Sequence, residues 1–171
     1  AYRNGSTELD NQKQQLSTAA LALDYRTERA RLSVDLGYEK NDMDAMTRYV
    51  SFAAGLRAVP PAPDNRARFM PSWGYWNGEG RMGLVQGEVD ITDNLTAYVQ
   101  TGAVGGSAKY LYSDAVVSNL NGNFSGSPRL NSQERDQLAM QGGFRASVET
   151  GFIHHAINFN ATRSFGETRI I

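Results

Sequence analysis

Hydrophobic and polar residues alternate along six stretches of the chain, and these stretches fall into three pairs. The first pair spans residues 20–42 and reads "ALALDYRTERARLSVDLGYEKND", with a charged turn at its centre. Alternation at every second position predicts a β-hairpin that has one apolar face and one polar face. The apolar face carries Leu21, Leu23, Tyr25, Leu32, Val34, Leu36 and Tyr38, and the polar face carries Asp24, Asp35 and Glu39.

The same unit recurs twice further along the chain. Residues 81–105 ("RMGLVQGEVDITDNLTAYVQTGAVG") and residues 136–165 ("DQLAMQGGFRASVETGFIHHAINFNATRSF") each alternate on both sides of a short polar turn. Residues 43–78 hold four of the five prolines, and residues 113–133 are rich in Ser, Asn and Gly. Both segments greatly exceed the usual connection of about 4 to 6 residues, so they are predicted to be elaborate surface loops.

The pattern predicts an all-β fold, an antiparallel meander of about six long strands in three hairpins. Strands of about 10 to 15 residues exceed the 5 or 6 residues usual in soluble sheets. Long dyad-patterned strands with short turns at one end and long loops at the other are typical of a transmembrane β-barrel. Lipid would then cover the Leu/Val face and a hydrated lumen would cover the Asp/Glu/Gln face. A large soluble β-sheet with one wet face is the alternative.

Aromatic residues near the predicted strand ends favour the membrane barrel. Outer-membrane barrels carry aromatic girdles at both membrane interfaces. The candidates for such girdles are Tyr25, Tyr38, Tyr98, Phe152 and Phe165.

Composition excludes several classes of function. The net charge of −1 argues against a binder of polyanions, so no nucleic-acid partner is expected. The chain has no cysteine, and therefore no disulfide and no thiolate site. No run reaches the roughly 18 apolar residues of a spanning helix. The opening "AYRNGSTELDNQ" lacks an initiator Met and a signal-peptide pattern, and it is expected to be the middle of a loop in a processed product or fragment.

One part of the first long loop has the residue types of a ligand site. The stretch "NRARFMPSWGYWNG" contains both tryptophans of the chain next to two arginines. Aromatic faces and guanidinium groups together can bind a bulky apolar or anionic metal chelate through stacking, cation–π contact and charged hydrogen bonds. The alternative is an aromatic cluster that pins the loop or sits at the outer membrane interface. The candidate ligand-binding residues are Arg66, Arg68, Phe69, Trp73, Tyr75 and Trp76.

No arrangement in the sequence indicates catalysis, a metal centre or a cofactor. His154 and His155 are adjacent, so on a strand they point to opposite faces and cannot easily chelate one metal together. "GGSAK" lacks the spacing of a P-loop. Carboxylates in strand rows give no sign of a closed pocket, and they are expected to face the lumen; these are Asp35, Glu39, Glu88 and Asp90. The protein is therefore not expected to be an enzyme.

Three stretches resemble the barrel of TonB-dependent siderophore receptors, specifically the ferrichrome-receptor-like branch. They are "LALDYRTERARLSVDLGYEKNDMDA", "VPPAPDNRARFMPSWGYWN" and "GEVDITDNLTAYVQTGA". The third stretch resembles a family strand of the form "G-E-Y-D-L-T-D-N-x-T-A-Y", with Val89 where an aromatic residue is usual. The matching residues are Gly87, Glu88, Asp90, Asp93, Asn94, Thr96, Ala97 and Tyr98.

The resemblance implies a receptor in the outer membrane of a Gram-negative bacterium that binds and imports ferric siderophores. Its partners would be a ferric siderophore, outer-membrane lipid and the TonB complex, the last reached through an N-terminal plug region. Six strands are fewer than the eight of the smallest barrels, so residues 1–171 are expected to be part of the barrel of a longer receptor, without the plug domain. The alternatives are a passive porin-like barrel, or a soluble β-sheet module in which Trp73 and Trp76 stack on carbohydrate.

Overall fold

The computed structural model describes residues 1–45, 49–62, 64–67 and 71–171, in which ten strands form two sheets. In those residues no helix is long and apolar enough to cross a bilayer. The strands are β1 (Tyr2–Ser6), β2 (Lys13–Arg26), β3 (Ala30–Asp44), β4 (Val50–Phe52), β5 (Tyr75–Thr92), β6 (Leu95–Ser113), β7 (Ala115–Val117), β8 (Phe124–Ser125), β9 (Pro128–Thr150) and β10 (Ile153–Ile170).

The large sheet confirms the predicted meander of six long strands. Its order is β1-β2-β3-β5-β6-β9-β10, and every neighbouring pair is antiparallel. The three predicted hairpins are β2–β3, β5–β6 and β9–β10. The long strands have 14 to 23 residues; β2 and β3 have the predicted length, whereas β5, β6, β9 and β10 exceed it. The largest difference is in β9, which begins at Pro128 because its first residues pair with the loop end of β6.

The opening segment is not a loop, as the sequence had suggested, but contains a strand. β1 pairs with the beginning of β2, from Tyr2 opposite Ser17 to Ser6 opposite Lys13. Its five residues carry no apolar alternation, since only Tyr2 is apolar in character. Backbone hydrogen bonds to β2 therefore determine this strand, and they leave no signature in its side chains.

The register sorts the side chains of the large sheet into the two predicted faces. Asp35 of β3 pairs with Leu84 of β5. Ser33, which is two residues closer to the short turn, pairs with Gln86. Because facing residues point to the same side, these positions share the polar face with Glu88. The other face is apolar, with Leu23 56% exposed and Phe159 65% exposed. It carries Leu21, Leu23, Tyr25, Leu32, Val34, Leu36, Tyr38, Val85, Val89, Val99, Leu138, Met140, Phe144, Ile157, Phe159 and Phe165.

The short turns are staggered across the sheet by the amount that a tilted barrel requires. Arg31, Glu88, Tyr98 and Gly143 form one paired row. Arg31 lies one residue from the short-turn end of β3. Glu88 lies four residues from the short-turn end of β5, and Gly143 lies seven residues from that end of β9. From β5 to β9, which are two strand spacings apart, this offset increases by three residues; both distances are about 10 Å, so the strands tilt by about 45°. Membrane β-barrels have this tilt.

The apolar face also has the height of a membrane band. On β9 it extends from Val148 near the short turn to Leu138, ten residue steps away. At this tilt ten residues rise by about 23 Å, close to the apolar band of about 25 Å in outer-membrane barrels. Beyond this band the same face becomes charged. There Arg169 donates hydrogen bonds of 2.7 and 3.0 Å to Glu167 and thereby lowers the pKa of that carboxyl group.

Three of the five predicted girdle residues lie at the edges of the apolar band. Tyr25 is at its short-turn edge, and Tyr38 and Phe165 are at its loop edge. Tyr98 does not belong to a girdle, because it pairs with Glu88 on the polar face. Phe152 lies in the turn between β9 and β10 and is 99% exposed.

The two long loops meet in a small second sheet. β4 runs parallel to β7, and β7 is antiparallel to β8. The base of the first loop is fixed to the neighbouring loop, since Gln12 Nε2 donates a hydrogen bond of 2.9 Å to the backbone oxygen of Ala45. The backbone N–H of Ala45 donates to the oxygen of Gly74 at 2.6 Å. These contacts close the base of the first loop above the large sheet.

Candidate functional site

The structure does not gather into one cluster the four loop candidates that it describes, Arg66, Trp73, Tyr75 and Trp76. Arg68 and Phe69 lie outside the described residues. Arg66 contacts the loop between β1 and β2, where its Nη2 atom is 3.4 Å from Asp10 Oδ1. Its backbone oxygen also accepts a hydrogen bond of 3.0 Å from the N–H of Asp10. Arg66 therefore connects two loops.

The three aromatic candidates near β5 have different surroundings. Trp73 precedes the strand and is 45% exposed. Tyr75 and Trp76 are the first two residues of β5, so they point to opposite faces of the sheet. Trp76 shares the polar face, whereas Tyr75 is on the face that turns away from the lumen. Only Trp76 is thus placed on the lumen wall by its strand register.

Trp76 belongs to an aromatic wall at the loop end of the lumen. It pairs with Tyr110, whose ring centroid is 5.6 Å from that of the buried Tyr112. Side-chain amides of β9 hold both phenols, with Gln133 Nε2 donating to Tyr110 Oη at 2.7 Å and Asn131 Nδ2 donating to Tyr112 Oη at 3.4 Å. We call these residues, Trp76, Tyr110, Tyr112, Asn131 and Gln133, the aromatic wall.

Sequence reasoning missed four of the five residues of this wall. The signal was present in "KYLYS", where two tyrosines separated by one residue continue the polar face of β6 past the predicted strand end. The partner amides lie on the unpredicted beginning of β9. The predicted hairpins ended at residue 105 on β6 and began at residue 136 on β9. Tyr110 and Tyr112 were therefore assigned to no strand, and Asn131 and Gln133 were assigned to a loop.

Directly below Trp76, the lumen wall contains a cavity of about 500 Å³. Three glycines form its floor: Gly37, Gly78 and Gly80. The indole ring of Trp76 lies over Gly78 and occupies the space that a side chain there would need. The side chains around the floor are Thr18, Glu39, Met82 and Val104.

An ion-pair network lies at the other end of the lumen, near the short turns. Arg31 donates hydrogen bonds to Glu88 at 3.0 Å and to Asp90 at 2.6 Å, and Thr96 donates to Asp90 at 2.7 Å. Arg145 pairs with Glu88 as well. Two cations thus balance two carboxylates. This confirms that these carboxylates face the lumen, where they serve as structural partners of arginine.

The two histidines occupy opposite faces, as predicted. His154 pairs with Glu149 and His155 pairs with Val148 on β9. The Nδ1 atom of His154 is 3.9 Å from a carboxylate oxygen of Glu149. Across the described ranges, no group of three or more His, Asp or Glu side chains could hold a metal ion.

Comparison with known proteins identifies the kind of barrel. No family model matches the chain. The ferrichrome receptor FcuA of Yersinia enterocolitica is 29% identical over 168 residues, which are 98% of this chain and 22% of that receptor. The crystal structure of BauA, the ferric preacinetobactin receptor of Acinetobacter baumannii, superposes with a TM-score of 0.93 at 25% identity, over 99% of this chain and 25% of BauA. Over nearly its whole length, the chain is similar in sequence and fold to a segment of these siderophore receptors.

A more distant siderophore receptor has the same fold. PiuA of Acinetobacter baumannii is 14% identical and superposes with a TM-score of 0.76, over 97% of this chain and 25% of PiuA. The chain therefore spans about a quarter of the length of the receptors that it matches. The similarity confirms the predicted family resemblance and the β-barrel fold. It also confirms the predicted location in the outer membrane of a Gram-negative bacterium.

Proposed function

We propose that the protein to which this chain belongs captures ferric siderophores at the loop end of its barrel and imports them with energy from TonB. The superposition on BauA over 99% of the chain is the observation that carries this proposal. Residues 1–171 would form part of the barrel, and a plug region outside this chain would contact the TonB complex. No bond is made or broken during import, so the protein would act as a transporter and not as an enzyme.

The aromatic wall supplies suitable chemistry for holding an iron chelate. The hydroxyl of Tyr110 accepts a hydrogen bond from the side-chain amide of Gln133, which leaves its own proton available to an acceptor oxygen of a ligand. The ring faces can stack on planar groups of the chelate. A siderophore already supplies the oxygen ligands of the iron, so no metal-binding side chains are required. Ferric iron is thus cargo.

The loop candidates would add contacts above this wall. We retain as ligand-binding candidates Arg66, Arg68, Phe69, Trp73, Tyr75 and Trp76. Their guanidinium and aromatic groups suit charged hydrogen bonds and stacking. Trp76 connects the two sets, because it ends the loop and begins the lumen wall.

The exposed apolar face counts against the soluble carbohydrate-binding alternative. Its many large side chains, among them Leu23 and Phe159, would promote aggregation in water. A porin-like barrel differs from the proposed receptor in its energy requirement, since passive diffusion does not need TonB. Outer-membrane lipid would cover this face in either barrel.

Uptake of ferric siderophores labelled with radioactive iron, measured in the source cells, tests the proposal. Deletion of the full-length gene is expected to abolish uptake of at least one siderophore, and loss of TonB is expected to abolish uptake but to leave binding intact. Trp76→Ala and Tyr110→Ala should weaken binding, whereas Phe159→Leu on the lipid face should not. Unchanged uptake of every siderophore after deletion would overturn the proposal.

A further inference from the structure

We propose that the cavity below Trp76 binds a cationic group, such as an ammonium, guanidinium or imidazolium arm, of the ferric siderophore. This inference rests on the proposed function, and it names a chemical class of ligand. The cavity, of about 500 Å³, has room for such an arm and the carbon chain that bears it.

The floor of the cavity is open backbone at Gly80, whereas the side chains of Met82 and Trp76 lie over Gly37 and Gly78. Gly37 lies on β3 and Gly80 on β5, and a β-carbon at Gly80 would meet no atom within 4 Å. The absence of a side chain at Gly80 leaves a recess in the lumen wall. A ligand group can therefore approach the sheet closely, between the side chains that surround the recess.

Two of these side chains favour a positive charge. Glu39 pairs with Gly80, so its carboxylate lies beside the glycine floor. Among the described residues, Glu39 has no hydrogen-bond or ion-pair partner. Trp76 presents an indole ring above the same floor. A carboxylate beside an indole face is the combination that attracts an organic cation, through charge and cation–π contact.

No cation of the chain competes for this place in the described residues. Lys40 and Arg81 are nearby, but both belong to the opposite face of the sheet. Arg81 is directed there toward Asp136, with Nη2 at 3.8 Å from Oδ1. Glu79 and Arg81 also line the cavity, but their strand register places their side chains on the opposite face of the sheet. The other side chains on the polar face of the wall are uncharged, with the hydroxyl of Thr18, the thioether of Met82 and the methyl groups of Val104.

The position of the cavity favours the siderophore over a basic side chain of the plug region. Glu39 is the tenth residue of β3 counted from the short turn, and Trp76 is the second residue of β5 counted from the loop. The cavity therefore lies in the loop-side part of the lumen, directly below the aromatic wall. A ligand that enters from the loops reaches this part first.

The test uses the full-length receptor in detergent and matched pairs of ferric siderophores. Each pair has one iron-binding core, either hydroxamate, catecholate or mixed, with its amine either free or acetylated. Among the pairs that bind, the free amine is expected to bind about tenfold more tightly. Glu39→Gln should remove this preference, and Trp76→Leu should reduce it. Glu149→Gln, an exposed glutamate beside the short turns, is the control and should retain it.

The outcomes separate this inference from the proposed function. Equal affinity for both members of the bound pairs, or a preference that survives Glu39→Gln, would overturn the cationic cavity but leave siderophore binding intact. Failure of the wild-type receptor to bind any ferric siderophore would overturn both. Resistance of the folded barrel to unfolding in sodium dodecyl sulfate without heating verifies that each variant is folded. If Glu39→Gln does not fold, the cationic cavity is tested by two measurements: the preference of the wild type for the free amine, and the reduction of this preference in Trp76→Leu.

Discussion

On the lumen wall, the position of Trp76 depends on the absence of a side chain at the neighbouring Gly78. Trp76 folds over Gly78 because that residue has no side chain, and the ring then closes the top of the cavity. Trp76 was predicted from the sequence as a ligand-binding candidate, because it is an aromatic residue in the first long loop. Its ring position could not be predicted, because it depends on the pairing of β5 with β3 and β6.

Replacing Gly78 should therefore affect ligand binding through Trp76. In Gly78→Ala the new methyl group would occupy the place of the indole ring and displace it, so siderophore affinity should fall several-fold. Gly5→Ala, on β1 with no atom near the new methyl group, is the matched control and should bind normally. The measurement is siderophore affinity of the folded receptor, and equal affinity of Gly78→Ala and wild type would contradict the positioning role.

Glu88 is a residue whose loss should weaken the barrel. It accepts hydrogen bonds from Arg31 and Arg145, so Glu88→Ala would leave two arginines without this partner. The temperature at which the barrel unfolds in sodium dodecyl sulfate is expected to fall by a few degrees. Glu88→Gln should have a smaller effect because its amide oxygen still accepts. Identical unfolding temperatures for Glu88→Ala and wild type would show that the network contributes nothing.

The three hairpins can be predicted from the local alternation of apolar and polar residues, whereas the remaining strands cannot. Residues 20–42 predict β2, β3 and both of their faces, since every second residue is apolar. The small sheet joins β4 to β7 although Val50 and Ala115 are far apart in sequence. Such pairing leaves no periodic signal in three-residue strands. The sequence also did not predict β1 or the loop end of β9, because neither segment alternates apolar and polar residues.

The two faces of β5 should respond differently to the same substitution. Val85→Arg places a charge on the lipid face, where it should cost about 2–4 kcal/mol near the midplane. The adjacent residue Gln86 faces the lumen next to Glu88, so Gln86→Arg should be tolerated. The amount of folded barrel in the outer membrane measures the difference. Equal amounts for the two variants would contradict the assignment of the faces.

The small sheet should stabilise the loops without affecting the barrel. Val117 is 8% exposed and pairs with both β4 and β8, so Val117→Asp should open this sheet. Protease cleavage of the loops is expected to become faster at an unchanged barrel unfolding temperature. Val59→Asp, at a position that is 74% exposed, is the control. A cleavage rate in Val117→Asp equal to that in wild type would show that the sheet does not protect the loops.

At the scale of the whole molecule, the sheet has the geometry of one part of a larger barrel. Its tilt of about 45° and its apolar band of about 23 Å match a membrane barrel. Its outer edges, β1 and β10, have no further partner strand among the described residues. In a complete receptor these edges would pair with other strands and close the lumen. In water the unpaired edges and the apolar face would favour aggregation.

The most direct test of this account is immunoblotting of fractionated source cells with an antibody raised against residues 1–171, after growth with and without iron. The chain has a mass of 18.8 kDa and spans 22% of the ferrichrome receptor FcuA. We therefore expect a band about four times larger, confined to the outer membrane and more abundant under iron starvation. A band of 18.8 kDa in the soluble fraction, with the same abundance in both media, would contradict the account.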